Sequence, residues 1–412
     1  MKLLRNRWFI LCAFIVPLNI VYGFDRGALA LVAVPVRNEL RIDYVLMSQI
    51  IVISTVVYAC MQMPAGWLAS RFGVRRVMAW ACILWSCATF LTAVQTEVIG
   101  FFASRILLGI TQAPDWVTCI LAIKILFPEA EREKANSIML AALYIGFVIC
   151  GTVTPWIAEF HGWRYCFSLY GWIGIAFGVV ILFFYRGADH DQTTPTDEKI
   201  GARIKRHSVI RQVSQGTIYY VALLVIFGFF STTFPHFANS AYGVSPKIAG
   251  RYFSILWTVM YLSVLAWGFL IKIMGRRKGG NFIGGAPGRA SGLLLAAVLT
   301  AIGVRIENPA IGIFVLSAAM IFVGLCQVLI WTFVQQIAGS TGVAAGVVMF
   351  AGNLSVAVSP VLAEVLFRTF GSWAPLSIVS LIAGLVGACV WIETSQKGIV
   401  SSPDGDLESE ST

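Results

Sequence analysis

Apolar residues occur in long runs along this chain, and short polar stretches separate them. Twelve runs stand out, at about 8–34, 46–69, 77–95, 98–123, 136–158, 165–185, 217–238, 249–271, 290–305, 309–334, 337–367 and 373–392. A helix needs roughly 20 apolar residues to cross the hydrocarbon of a bilayer; the run at 290–305 is the shortest fit. Strands of an outer-membrane barrel are about ten residues long and alternate in polarity, so a barrel is excluded. The pattern predicts an all-α membrane protein with twelve transmembrane helices. The first run is too long for the apolar core of a secretory signal and reads as a retained helix.

A polar, charged stretch at 186–216 breaks the pattern and divides the helices six and six. The expected organisation is an N-terminal bundle over 1–185, a cytoplasmic linker over 186–216 and a C-terminal bundle over 217–393, followed by a disordered cytoplasmic tail over 394–412. The basic run Lys205–Arg211 fits either a solvated linker or a stretch lying on the anionic leaflet. The halves also repeat. GWLASRFGVRR from Gly66 and GFLIKIMGRRK from Gly268 are offset by 202 residues, which pairs Gly66 with Gly268, Gly73 with Gly275 and Arg75 with Arg277. Two pseudo-symmetric six-helix bundles related by a parallel repeat are a transporter architecture.

Composition agrees with the pattern: 58% of residues are hydrophobic and 12% charged, against roughly 25% charged in soluble domains. The net charge of +10 does not imply nucleic acid. The basic residues concentrate in the loops on the side of the N-terminus, including Arg71, Arg75, Arg76, Arg276, Arg277 and Lys278. The positive-inside rule then places both termini in the cytoplasm, and a bacterial inner membrane fits the short loops. The nine cysteines lie in or at the ends of the apolar runs without a CxxC, so no metal site or disulfide framework is indicated. There is no P-loop, no G-x-S-x-G and no histidine cluster. The expectation is not an enzyme, with no cofactor.

Four charged residues lie deep inside apolar runs, away from their ends: Asp25 and Arg26 in the first, Arg105 and Asp115 in the fourth. Burying a charge in hydrocarbon is costly, so such groups face a polar interior and mark function. Asn19, Tyr22 and Arg26 share one helical face by their three-then-four spacing. Asp25 lies roughly 25 Å into the first helix, and Arg105 roughly 10 Å from the opposite end of the fourth, so the two depths coincide. Arginine suits a carboxylate because its planar fork binds bidentately and stays charged. When ionised, Asp25 can compete for an arginine; when protonated it releases it. Structural alternatives stand beside this. Asp25 and Arg105 could form a locking ion pair, and Asp115 could bond neighbouring helices or Lys124. Tyr22 and Tyr58 could be interhelical hydrogen bonders, and His236 and Glu364 could be interfacial.

Gly66–Arg76 resembles the loop 2–3 signature of the major facilitator superfamily, G-x-L-a-D-R-x-G-r-[RK], except for Ser70 in place of Asp. YACMQMPAGW (Tyr58, Gln62), NIVYGFDRGALA (Asn19, Tyr22, Asp25, Arg26), RILLGITQAP (Arg105, Gln112), FPEAEREKA from Phe127, HGWRYCF from His161 and the GNL at Gly352 and Asn353 are similar to the anion:cation symporter family within it. The resemblance implies the major facilitator fold and proton-coupled uptake of a small organic anion, often a sugar acid, by alternating access. It further implies a proton site at Asp25, with Asp115 as a substitute, and an anion site at Arg26 and Arg105. Tyr58, Gln62, Gln112, Asn353, Tyr22 and Asn19 would shape the pocket, and Gly66, Arg71, Gly73 and Arg75 would form the gating loop. Gln112 stands where the family usually has a titratable Glu, which puts the coupling in question. The alternative is an exporter or antiporter of a metabolite or drug. Proton antiporters of the superfamily carry G-P-x-x-G-G on helix 5, and GFVICGTVTPW from Gly146 lacks it. The expected partners are the organic anion, a proton and the lipid bilayer, with no nucleic acid, and a monomer is expected.

Overall fold

The computed structural model describes residues 6–185, 206–274, 285–338 and 342–398. Among them, eleven helices are long and apolar enough to span a membrane, and a shorter apolar helix, Pro375–Trp391, makes the twelfth. We number them α1 Arg7–Leu31, α2 Tyr44–Phe72, α3 Val74–Val94, α4 Val98–Leu126, α5 Glu129–His161, α6 Trp163–Phe184, α7 Ile210–Tyr242, α8 Pro246–Met274, α9 Ala286–Gly303, α10 Pro309–Ala338, α11 Gly342–Phe370 and α12 Pro375–Gly398.

Among the described residues several connections are so short that the helices they join must turn back on one another. A single residue, Gly73, joins α2 to α3 with φ +84°, and Gly162 joins α5 to α6 with φ +80°. That region of backbone space favours glycine, which explains the glycine in the loop 2–3 motif. The Asp43 carboxylate caps α2 by accepting from the Leu46 N–H at 2.8 Å, closing an otherwise unsatisfied helix end. Pro114 starts a new segment within α4, after Gln112; its ring removes a backbone donor there.

Two elements extend beyond their expected bounds. Helix begins at Arg206, ahead of the expected linker end at 216, and α12 runs to Gly398, past the expected tail start at 394. No proline interrupts either stretch, and adding residues to an existing helix is easier than starting one. The rest of the linker and tail, and the repeat residues Gly275, Arg277 and Lys278, lie outside the described residues.

The halves pack by one scheme. In the first, α1 packs on α5, α2 on α4, α3 on α4 and α3 on α6; in the second, α7 on α11, α8 on α10, α9 on α10 and α9 on α12. Between the halves, α5 lies on α8 and α2 on α11, so the junction is itself pseudo-symmetric. Within the first half, a Cβ on Gly23 would sit 2.6 Å from the Leu143 carbonyl oxygen and 2.8 Å from Gly146 Cα. Small residues there let α1 and α5 touch backbone to backbone, as membrane helices do. Exposed side chains such as Trp172, Phe183, Phe269 and Phe314 point outward, as expected for surfaces meeting lipid.

Candidate functional site

A cavity of about 1050 Å3, counting the space where it opens outward, lies between the halves. Its lining includes Tyr22, Asp25, Arg26, Tyr58, Gln62, Arg105, Gln112 and Asn353, eight residues singled out from the sequence. The first half supplies them from α1, α2 and α4, and α11 supplies Asn353.

The charges are buried without tight partners. Asp25 and Arg105 are 2% and 4% exposed. Among the described residues, no ion pair within 4.0 Å includes Asp25, Arg26, Arg105 or Asp115. The locking pair between Asp25 and Arg105 is therefore not formed. Asp25 instead accepts from the Thr89 hydroxyl of α3 at 3.1 Å. Among the described residues, Arg105 Nε and Nη1, Arg26 Nε and Gln112 Nε2 are buried with no hydrogen-bond partner. The Arg26 guanidinium carbon lies 4.4 Å from the Tyr58 ring centre and 5.2 Å from that of Tyr22. Aromatic faces attract a cation most strongly when water is excluded, so the two rings hold Arg26 in place beside the cavity. Unsatisfied buried donors are rare and call for an explanation; these belong to three residues that line one cavity.

Asn19, expected to help shape the pocket, does not line the cavity, and neither does Asp115. Asn19 shares the Arg26 face but lies seven residues nearer the start of α1, about 10 Å deeper. Its amide donates to the Ile15 carbonyl at 2.9 Å and meets Cys119 Sγ at 3.6 Å. Asp115, past the Pro114 break, is fully buried. It receives the Cys119 thiol at 3.9 Å, and its Oδ2 has no partner; Lys124 is not bonded to it. Depth and the break in α4, rather than helical face, remove these two from the cavity.

The cavity also holds residues the sequence did not flag. Tyr144 of α5, Tyr220 of α7, and Gln327 and Trp331 of α10 line it. Gln327 was the readable signal, an amide within the apolar run LCQVLIW. Trp331 meets Trp116 of α4 at 5.5 Å between ring centres, so an aromatic pair bridges the halves on the side where α1 begins.

The opposite face is joined by polar contacts. Arg368 at the end of α11 pairs with Asp43 at 3.1 Å, and Lys247 at the start of α8 pairs with Glu159 of α5 at 2.8 Å. His236 of α7 stacks on Tyr44 of α2 at 4.1 Å. His236 Nδ1 lies 3.3 Å from Glu364, which also accepts from Arg368 at 3.1 Å. Glu364 is 3% exposed, so it and His236 belong to an inter-bundle latch rather than to the membrane interface. The Leu46 N–H and the neighbouring Arg368 hold the Asp43 carboxyl below its usual range.

The loop 2–3 residues are remote from the cavity, at the face where α1 starts. Arg75 donates to the Leu182 carbonyl through Nε and Nη2 at 3.2 and 2.6 Å, tying α3 to the end of α6. Arg71 lies 5.1 Å from the Trp67 ring centre. Gly66 is loosely packed, with Val117 nearest at 4.0 Å to a hypothetical Cβ.

A family model described as Major Facilitator Superfamily matches residues 15–360. The D-galactonate transporter of Escherichia coli O6:H1 is 24% identical over 94% of this chain and 95% of its own. The probable galactarate/D-glucarate transporter of Escherichia coli K12 is 26% identical over 89% and 88%. Among solved structures, an inward-facing, unoccupied bacterial homologue of the human lysosomal transporter Spinster matches with TM-score 0.73 at 16% identity. That match covers 97% of this chain and 99% of the other.

Proposed function

We propose, for a chain that belongs to the Major Facilitator Superfamily, that the central cavity carries a small organic anion across the membrane together with a proton. The chain is a multi-pass membrane transporter and not an enzyme. Its relatives carry names of sugar-acid transporters, and an organic anion fits the site chemically. The observation that carries this reading is the set of unpaired, buried guanidinium donors of Arg105 and Arg26 facing one cavity between two bundles.

The carboxylate takes the free donors of Arg105 and approaches Arg26 over its two tyrosines. Asp25, in the same cavity and bonded to the Thr89 hydroxyl, is the proton carrier. Ionised, it competes with the substrate for Arg105; protonated, it is neutral and leaves the arginine to the anion. Gln112 cannot titrate, which leaves Asp25 as the carboxyl group lining the cavity. Alternating access follows from two barriers, the latch at the far face and the Trp116–Trp331 pair at the other. Each opens while the other holds. The face where α1 starts is cytoplasmic in this reading.

The test uses the purified chain in proteoliposomes, with protein-free vesicles as the leak control. Labelled organic anions, including D-galactonate, are offered with and without an inward proton gradient. Arg105→Gln abolishes flux. Asp25→Asn keeps exchange but loses acceleration by the gradient. Proton-driven accumulation that survives Asp25→Asn refutes the coupling, and flux that survives Arg105→Gln refutes the anion site.

A further inference from the structure

All the charge lining the central cavity comes from one half of the protein. Asp25 and Arg26 of α1 and Arg105 of α4 are its charged residues. The second half contributes side chains that are polar but neutral: Tyr220, Ser231 and Thr232 from α7, Gln327 from α10 and Asn353 from α11. Protonation of Asp25 raises the net charge at α1 and α4 and adds none among these groups.

Hydroxyls and amides both donate and accept, so they can satisfy a hydroxyl of a ligand in either direction. An ionised carboxylate only accepts, and it brings a charge that needs a counter-charge. Burying an ion costs far more than burying a neutral polar group unless an opposite charge lies beside it. The guanidiniums of Arg26 and Arg105 meet that demand at one end of a ligand. A second carboxylate at the other end would shed its water, as the cavity closes, against neutral groups alone. Gln327 is 3% exposed and lies within the apolar α10. Water therefore does little to screen a charge brought against it.

We infer that the site takes acids with a single carboxylate and a hydroxylated body and refuses the diacid of the same length, with Gln327 as a specificity-determining residue on the half that carries no charge. This rests on the anion-carrier reading and narrows it to one charge class.

The test is binding to the purified full-length chain at neutral pH, where both carboxyls of a diacid are ionised, read by calorimetry. The probes are D-galactonate, galactarate and galactitol, which share one carbon skeleton and carry one, two and no carboxylates. D-galactonate is expected to bind at least about tenfold more tightly than galactarate, a low-end factor for burying an uncompensated charge. Galactitol is expected to bind too weakly to measure. Gln327→Arg should supply the missing cation and erase most of the preference, and Arg105→Gln should remove binding of both acids. A smaller preference for D-galactonate, or a preference for galactarate, that still depends on Arg105 overturns this inference and leaves the anion reading intact. A folded Gln327→Arg protein with the parent's preference overturns the role of Gln327. Absence of binding by either acid, or binding indifferent to Arg105→Gln, overturns both readings. The series on the native protein stands even if a variant fails to fold.

Discussion

Gly151→Ala probes how tightly the far face is closed. Gly151 of α5 sits against α8, where a Cβ would lie 2.5 Å from Ser254 Oγ, 2.8 Å from the Gly250 carbonyl oxygen and 2.8 Å from Phe253 Cδ1. None of these yields easily. The Gly250 oxygen is backbone, Phe253 is fully buried, and the Ser254 hydroxyl bonds the Val148 carbonyl at 2.7 Å and Thr152 at 2.9 Å. Relief requires α5 and α8 to part by roughly half an ångström, and overpacking of this kind costs about 1–3 kcal/mol. The cost falls on the far-face-closed state alone, because a state with α5 and α8 separated there has room for the methyl. The closed-to-open ratio therefore drops about 5- to 150-fold. Ser48→Cys, in the small cavity beside His236 and Glu364, supplies a reporter. Its labelling rate with a membrane-impermeant maleimide, measured against the parent with Ser48 intact, should rise in the Gly151→Ala background. A folded double variant that labels no faster than Ser48→Cys alone would refute the claim that this contact closes the far face.

Further outcomes follow from the same geometry. Arg105→Lys keeps the charge but loses the fork, and a lost charge-assisted bond of about 1.5–3 kcal/mol should weaken anion binding roughly 10- to 150-fold; unchanged half-saturation would place the anion elsewhere. Tyr58→Leu removes the ring 4.4 Å from the Arg26 guanidinium and should destabilise the folded chain by about 2 kcal/mol in thermal denaturation, whereas Tyr58→Phe should restore most of it. Asp43 is held below its usual range by the Leu46 N–H and Arg368. Its contribution is thus full above the ordinary carboxylate range and is lost as pH falls through its lower folded-state value. The difference in Ser48→Cys labelling between the parent and Asp43→Asn should accordingly stay constant from pH 8 to 5 and vanish only below about pH 4. A difference that fades between pH 8 and 5 would assign the latch to another group.

Helix existence was legible because it is local. Apolar length against bilayer thickness decides a span wherever the rest of the chain lies, and α9, the shortest expected run, is indeed only 18 residues. Charge burial is also local, since Asp25, Arg26 and Arg105 in apolar runs had to face a protein interior, and they do. The repeat at Gly66 and Gly268 implied two like bundles for the same reason. What the chain order could not supply was depth and pairing between distant helices. Asn19 shares the helical face of Arg26 yet lies below the cavity floor against Cys119, because rotation about a helix and position along it are separate coordinates. Thr89 as the partner of Asp25, Trp331 over Trp116, and His236 with Glu364 in a latch all join residues more than sixty positions apart. Such contacts arise only when helices from distant parts of the chain are packed together, and packing is a property of the whole fold, whereas hydropathy belongs to each segment alone.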